Sequence, residues 1–389
     1  MDQEKKTLGE CMEQSGRPTD QDGSQVTSQV PPSSQTTTRS LRYSGLKALK
    51  YPHIIEAIRE GEAPFGYARK PGPVHIQMIL SDLCNQDCAF CAYRDPGYTS
   101  SQLFHVDGDY NPKRFLPFDK VLEILDDCAW MGVKAIQLTG GGEPLVYPKF
   151  DKVVAAILER GMKWALVTNG VLAERHDLST AIWIRVSVDA GTRESYAKIR
   201  RCPPNHWEKA WKTVAKHKAG VGYVVTPDNW MEIFQCAEIA HDVGASNMRI
   251  GAQFSSEGED LFAGIREKAQ VIAHMAADLS DDHFEVFNKF EEKLDDLGQG
   301  RPDYRRCGYQ RFTTYIGADQ NLYRCCLYAY SPRGKIASLE GRRFREVWKE
   351  VAYPDFEKFD ARGCVRCQYN RINRAINEVV DYDESEAFV

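Results

Sequence analysis

The sequence predicts an α/β fold, a mostly parallel sheet of six βα units followed by a smaller cysteine-rich module, on three observations. Short apolar runs alternate with segments of helical period between residue 74 and about 290, the helical segments end in glycine, and beyond residue 290 the pattern changes to a hairpin and short helices. The expected strands are 74–80, 134–140, 163–169, 182–188, 221–226 and 247–252, with one more near 283. Between them FDKVLEILDDCAWMG, FDKVVAAILERG, NHWEKAWKTVAKHKAG and NWMEIFQCAEIAHDVG repeat apolar residues three and four apart and close on Gly. Residues 254–279 are expected to form one longer sixth helix. After the polar stretch 291–306, RFTTYIGADQNLYRCC predicts a hairpin, and FREVWKEV and YNRINRAINEVV predict short helices.

Composition sets the domain limits. Residues 1–45 are rich in Gln, Ser, Thr, Asp and Pro and hold too few apolar side chains to offset the entropy of ordering, so a disordered tail is expected. A short amphipathic helix at 51–61 and a Gly/Pro-rich connector fill 46–73; the sheet domain spans 74–290, the second module 291–380, and an acidic tail 381–389. Lys and Arg number 50 against 55 Asp and Glu, a net charge of −5, which argues against bulk electrostatic binding to DNA or membrane. Residues 301–377 nonetheless carry 16 basic against 8 acidic side chains. These read equally as a solvated surface or as the counterpart of an anionic group. No run of about 18 apolar residues occurs, and MDQEKKTLGE lacks the apolar stretch of a secretory signal. A soluble, cytoplasmic protein with no membrane partner is expected.

Twelve cysteines are many for a reducing compartment, so their spacing decides their role. Cys128 and Cys236 sit among apolar helical neighbours and are expected as small hydrophobes. Cys84, Cys88 and Cys91 instead follow the first strand in ILSDLCNQDCAFCAYRD. On a helix this spacing would make a buried stripe, but the intervening Asn85, Gln86 and Asp87 belong to a loop at the carboxyl end of a strand, where βα-barrel sites are built. Three thiolates can hold three irons of a 4Fe-4S cluster and leave the fourth iron open. Zinc is the rival metal, although it would need a fourth ligand, and the nearest histidine, His105, is separated by a polar loop.

With Phe90 just before the last cysteine, this loop resembles the signature of the radical S-adenosylmethionine (SAM) superfamily. Further matches follow in order on the expected strands: Gly140-Gly141-Gly142-Glu143-Pro144 after the second, Thr168-Asn169-Gly170 after the third, and Arg185-Val186-Ser187-Val188-Asp189 on the fourth. The resemblance implies a partial (β/α)6 barrel in which Cys84, Cys88 and Cys91 hold a 4Fe-4S cluster. It also implies S-adenosyl-L-methionine on the open iron and reductive cleavage to a 5′-deoxyadenosyl radical that abstracts a hydrogen atom from substrate. Gly140, Gly141, Gly142, Glu143 and Asn169 would then lie against the methionine moiety, Ser187 and Asp189 against the ribose, and Phe90 and Ala252 against the adenine. Arg249 is a candidate for the methionine carboxylate; Arg249 and Asn229 read equally as ordinary strand-end polar residues.

Cys307, Cys325, Cys364 and Cys367 bring thiols from a loop, a strand end and a tight CxxC turn, a convergence typical of a structural metal centre. Zinc and iron–sulfur both fit four thiolates. The region resembles the twitch form of the auxiliary-cluster module of the SPASM/twitch subgroup, which implies a second 4Fe-4S cluster. It departs from the subgroup at Gln320, where a Gly is expected. Cys326 is the alternate to Cys325, which is preferred because side chains alternate along a strand. The resemblance further implies a one-electron donor of flavodoxin or ferredoxin type.

Substrate classes in the subgroup include peptides, sugars and nucleotides. Arg333, Lys335, Arg342, Arg343, Arg362, Arg366, Arg371 and Arg374 point to phosphate-bearing substrates, which leaves a nucleotide or a modified base in nucleic acid open without any residue singling them out. A peptide-modifying maturase or dehydrogenase is the alternative. A metal-stabilised binding protein without catalysis is the reading from another class.

Overall fold

The computed structural model describes residues 45–60, 72–93, 114–255 and 257–381. The expected disordered tail up to residue 44, most of the connector, His105 and the acidic tail beyond 381 lie outside the described residues. Ten strands form one sheet: β1 (His75–Ile79), β2 (Ala135–Thr139), β3 (Lys163–Thr168), β4 (Ile184–Ser187), β5 (Gly220–Val225), β6 (Asn247–Ala252), β7 (Glu285–Asn288), β8 (Thr313–Ile316), β9 (Asn321–Tyr323) and β10 (Lys335–Ser338). Their order is β10-β9-β8-β1-β2-β3-β4-β5-β6-β7. The sheet is open rather than closed, a partial barrel, and parallel from β8 through β7.

The helices are α1 (Pro52–Glu60), α2 (Phe118–Met131), α3 (Phe150–Glu159), α4 (Arg193–Arg200), α5 (His206–His217), α6 (Ile233–Asp242), α7 (Arg266–Ala277), α8 (Phe290–Gln299), α9 (Phe344–Val347), α10 (Tyr353–Lys358) and α11 (Asn370–Val380). Gly132 ends α2 at φ 79°, a left-handed conformation that costs glycine little, and its N–H returns to the Ala129 and Cys128 carbonyls.

Alternation along the strands divides the sheet into two faces. Ile76, Met78, Ile136, Leu138, Trp164, Leu166, Val186, Val221, Tyr223, Met248 and Ile250 pack into the main core together with apolar residues of the helices. The residues between them, including His75, Gln77, Gln137, Arg185, Ser187, Gly222 and Arg249, face the inner side of the barrel. Two inner-face contacts show the pattern: Gln137 Nε2 donates to Gln77 Oε1 at 3.0 Å, and Thr313 Oγ1 pairs with His75 Nδ1 at 3.0 Å.

Three sequence expectations are corrected. The single helix over 254–279 is broken: a 3-10 turn at Gly258–Phe262 is followed by Gly264 at φ 78° before α7 begins. Residues 290–299, read as a polar stretch, form α8, because Phe290, Leu294 and Leu297 recur on one buried face. α4 was not expected; Thr192 caps it by accepting the Ser195 N–H at 3.2 Å.

The expected hairpin forms, with Tyr315 opposite Tyr323 and Ile316 opposite Leu322. It does not make a sheet of its own, because β8 lies parallel beside β1, with His75 in register with Thr313. Cys128 and Cys236 are fully buried, as small hydrophobes should be. Among the described residues no helix is long and apolar enough to cross a membrane.

Leu294 is 0% exposed, so Leu294→Ala should cost about 2–5 kcal/mol of unfolding free energy in urea titrations. A loss under about 0.5 kcal/mol would contradict the packing of α8 on the core.

Candidate metal and cofactor site

The loop that carries Cys84, Cys88 and Cys91 leaves the carboxyl end of β1 and is fastened on three sides. The glycine turn after β2 packs on its first residues. Gly142 N–H donates to Ser81 O at 2.7 Å and Glu143 N–H to Leu83 O at 2.9 Å. A Cβ on Gly142 would stand 2.1 Å from the Leu83 oxygen, and one on Gly141 2.8 Å from Asp82 Oδ1, so close approach requires glycine there. The turn after β3 holds the middle of the loop: Asn169 Nδ2 donates to Asn85 Oδ1 at 2.6 Å. The third side is α4, whose Arg200 and Ile199 carbonyls accept from Asp87 N–H at 3.1 Å and Ala89 N–H at 2.8 Å.

Glu143 braces these turns. It is 3% exposed; Oε1 accepts from Leu145 N–H at 3.1 Å and from Thr168 Oγ1 at 2.5 Å, and Oε2 accepts from Asn169 N–H at 2.8 Å. Burial pushes its carboxyl above the ordinary range, and these bonds pull the other way. Asp189 sits at φ 61°, a left-handed conformation that Asp tolerates better than most residues. Its Oδ1 accepts from Val224 N–H at 2.6 Å and its Oδ2 pairs with Arg200. Asn229 spends its amide on the same turn, donating to Asp189 O and Val224 O at 2.8 Å each and accepting from Thr226 N–H at 2.7 Å. It is therefore a structural strand-end residue. Ser187, Phe90, Arg249 and Ala252 are half-buried.

Arg200 is the residue that the sequence reading missed. It is 5% exposed, donates to Gln86 Oε1 at 2.8 Å, and lies 3.5 Å from the Cys88 sulfur. Its Nε is buried with no partner among the described residues. A signal existed: Tyr196, Ile199 and Arg200 fall on the buried face of α4, so a charge there has to be accommodated.

The second thiol set comes from three separate segments. Cys307 precedes a 3-10 turn, Cys325 follows β9, and Cys364 and Cys367 precede α11. Burial raises the Cys325 thiol, and the charges of Cys326, Cys307, Cys367 and Cys364 raise it further. Burial first, then Cys367, pushes Cys307 up to about 12, and burial pushes Cys367 to about 11. Cys367 Sγ accepts from Tyr369 N–H at 3.3 Å and from Asn373 Nδ2 at 3.8 Å. Cys326 has other company, with Tyr369 Oη 3.0 Å and Gln368 Nε2 2.5 Å from its sulfur. Buried Lys293 holds the CxxC turn, donating to Asp296 at 2.7 Å and to the Gln368 carbonyl at 2.6 Å.

Side chains join the two regions: Ala92 packs with Leu327, Tyr328 and Cys364, and the Tyr93 ring meets Tyr330 edge-on. Tyr330 donates to Asp82 Oδ1 at 2.5 Å while accepting the Ala318 N–H at 3.0 Å, and Arg114 Nε reaches Asp82 Oδ2 at 2.6 Å. The expected basic patch of the second module, by contrast, is largely neutralised. Arg343 pairs with buried Asp127, Arg342 with Glu350, Arg362 with Asp360, Arg371 with Glu292 and Arg374 with Asp303. Arg366 bonds the Leu297 and Ser255 carbonyls.

Among the described residues no three His, Cys, Asp or Glu side chains close on the position of a single metal ion. The fit to a cluster is therefore judged on donor chemistry. The donors are all thiols, and a buried guanidinium with an orphaned Nε beside Cys88 suits a group that brings negative charge.

Comparison with known proteins agrees with this geometry. Residues 78–247 match the family described as Radical SAM superfamily. A "S-adenosylmethionine-dependent nucleotide dehydratase" of Lacinutrix mariniflava is 31% identical over 130 residues, covering 32% of this chain and 25% of that protein. A "GTP 3′,8-cyclase" of Clostridium perfringens is 32% identical over 100 residues, covering 25% and 28%. The chain thus spans about a quarter of the length of these relatives. The fold resembles Streptococcus suis SuiB bound to precursor peptide SuiA, with TM-score 0.55 and 15% identity over 84% of this chain and 75% of that one. It also resembles anSMEcpe with bound AdoMet, with TM-score 0.52 and 12% identity over 79% and 96%.

Gly142→Ala should lower the melting temperature by several degrees, corresponding to about 1–3 kcal/mol, and reduce iron retained after anaerobic purification. Unchanged melting and iron content would show that the turn does not hold the cysteine loop. Residues 78–247 thus form a domain of the radical SAM superfamily.

Proposed function

We propose that the protein is a radical SAM enzyme acting on a nucleotide-type substrate. The observation that carries the reading is the pinned three-cysteine loop with a buried cation beside its second cysteine. Cys84, Cys88 and Cys91 would hold a 4Fe-4S cluster, which with bound S-adenosyl-L-methionine would supply radical chemistry at an unactivated C–H bond.

The chain's own residues bind and orient. With the Glu143 carboxylate committed to the turns, the backbone of Gly140–Gly142 is what remains for the methionine amino group. Arg200 offers its buried charge to the methionine carboxylate. Asp189 holds Arg200, which leaves the ribose to Ser187. Phe90 and the backbone near Ala252 flank the adenine, and Arg249 serves the inner face behind it. Cys307, Cys325, Cys364 and Cys367 would hold a second 4Fe-4S cluster, while Cys326 is occupied with Tyr369 and Gln368. An external one-electron donor of flavodoxin or ferredoxin type completes the system.

The nucleotide class rests on the activities for which the relatives are named, a nucleotide dehydratase and GTP cyclases. The likeness to peptide-bound SuiB supports a peptide-modifying alternative, but at the level of fold alone.

Protein purified without oxygen should be brown, hold about eight irons, and release 5′-deoxyadenosine from S-adenosylmethionine under dithionite. Replacing Cys84, Cys88 or Cys91 by Ala should abolish that release, and full cleavage in any of them sinks the assignment. Cys325→Ala should lower iron to about four per chain, whereas Cys326→Ala should keep about eight; the reverse pattern would exchange their roles.

A further inference from the structure

The inner face of β4, β5 and β6 carries a cation that the proposed cofactor site does not use. Arg185 lies two residues before Ser187 on β4, so it stands about 7 Å deeper in the barrel than the proposed ribose contact. Its side chain runs across the neighbouring strand: a Cβ on Gly222 would meet Arg185 Cδ at 3.3 Å, Cγ at 3.5 Å and Nε at 3.6 Å. Glycine at 222 is what lets the guanidinium lie flat over β5. Gly222 is in register with Ser187 on one side and with Arg249 on the other, so Arg185 is directed towards the row that holds Arg249.

The Arg185 side chain is half-buried and has no hydrogen bond or ion pair among the described residues. The acid of its own register row is Glu285. Gly220 and Asn247 lie between them, which puts Glu285 three strands and about 14 Å away, too far to pair with Arg185. Above Arg249 on the same face, a Cβ on Gly251 would meet nothing within 4 Å. A half-buried guanidinium with no acid partner among the described residues is a cost to the fold unless something anionic enters. The cofactor is already served, since Arg200 stands at the cysteine loop.

We infer that Arg185, laid over Gly222 towards Arg249, is the anchor for an oxyanion of the substrate, held on the barrel floor below the cofactor. The inference rests on the proposed function and deepens it by giving the substrate an anionic end. A planar fork suits phosphoryl oxygens and carboxylates alike, and the basic residues of the second module, being mostly paired with acids, do not supply this contact.

The test uses anaerobically purified, cluster-loaded protein and three titrations followed by calorimetry: S-adenosylmethionine, inorganic tripolyphosphate and succinate. The expected result is saturable one-site binding of tripolyphosphate or succinate, the preferred probe naming the phosphate or the carboxylate class. Arg185→Met should weaken that binding about tenfold or more, with S-adenosylmethionine affinity unchanged. Arg185→Lys should recover part of it. Gly222→Ala, which keeps every charge but crowds the Arg185 stem, should weaken it as well. Loss of S-adenosylmethionine affinity in Arg185→Met would reassign the residue to the cofactor and overturn the inference. So would the absence of one-site binding by either probe, or equal probe affinity in Arg185→Met and the unaltered protein. Protein that releases 5′-deoxyadenosine yet binds neither probe defeats only this inference; protein that binds a probe but never cleaves S-adenosylmethionine defeats the proposed function and leaves the anion site standing.

Discussion

The candidate site depends on the buried pair between Arg200 and Asp189. Their side chains are 6% and 1% exposed, so each has lost almost all of its hydration. Removing one member of such a pair typically costs about 3–5 kcal/mol, because the other is stranded in a medium of low polarity. The pair persists because both ends are further satisfied: Asp189 accepts the Val224 N–H, and Arg200 donates to Gln86. Gln86 sits inside the cysteine loop, and Arg200 also approaches Cys88. One electrostatic contact thus connects β4, β5, α4 and the loop where a cluster would be held. The Arg200 Nε left without a partner is the remaining open term, and a negatively charged group at the loop would close it.

A second constraint comes from the sheet. The cysteine-rich residues do not hang from the barrel as a separate bead, because β8 pairs with β1 in register and the hairpin β8–β9 continues from there. Tyr330, donating to Asp82 two residues before Cys84, makes the link at side-chain level. Burial and hydrogen bonding act against one another at Asp82. Its carboxyl is pushed up to about 6 by desolvation, while Arg114 and Tyr330 hold it down. The two thiol sets are consequently fixed with respect to one another by backbone pairing and by one short polar chain, not by a flexible tether.

Fold and substrate separate here in the usual way. The solved structures that share this architecture include one bound to a precursor peptide, whereas the sequence relatives are named for nucleotide chemistry. Architecture sets where a cofactor and a substrate can meet. The inner-face side chains, among them Arg185 over Gly222, set what can be held there.

Much of the site was legible in the sequence, because local rules write it there. The cysteine spacing after a strand, the glycine turn, the Thr-Asn-Gly turn and the strand periodicity each lie within a short stretch of chain. α8 and α4 were missed for a local reason too, since polar residues on their exposed faces masked a sparse apolar period. What the sequence by itself determined is the set of donors and the order of the strands that present them. Only the tertiary structure decided that Cys326 lies against Tyr369 and Gln368, that Asp189 is spent on Arg200, and that the C-terminal arginines are mostly paired. These outcomes depend on partners 11, 43 and 216 residues apart in sequence, and on which of several partners each group meets. No local pattern encodes that competition.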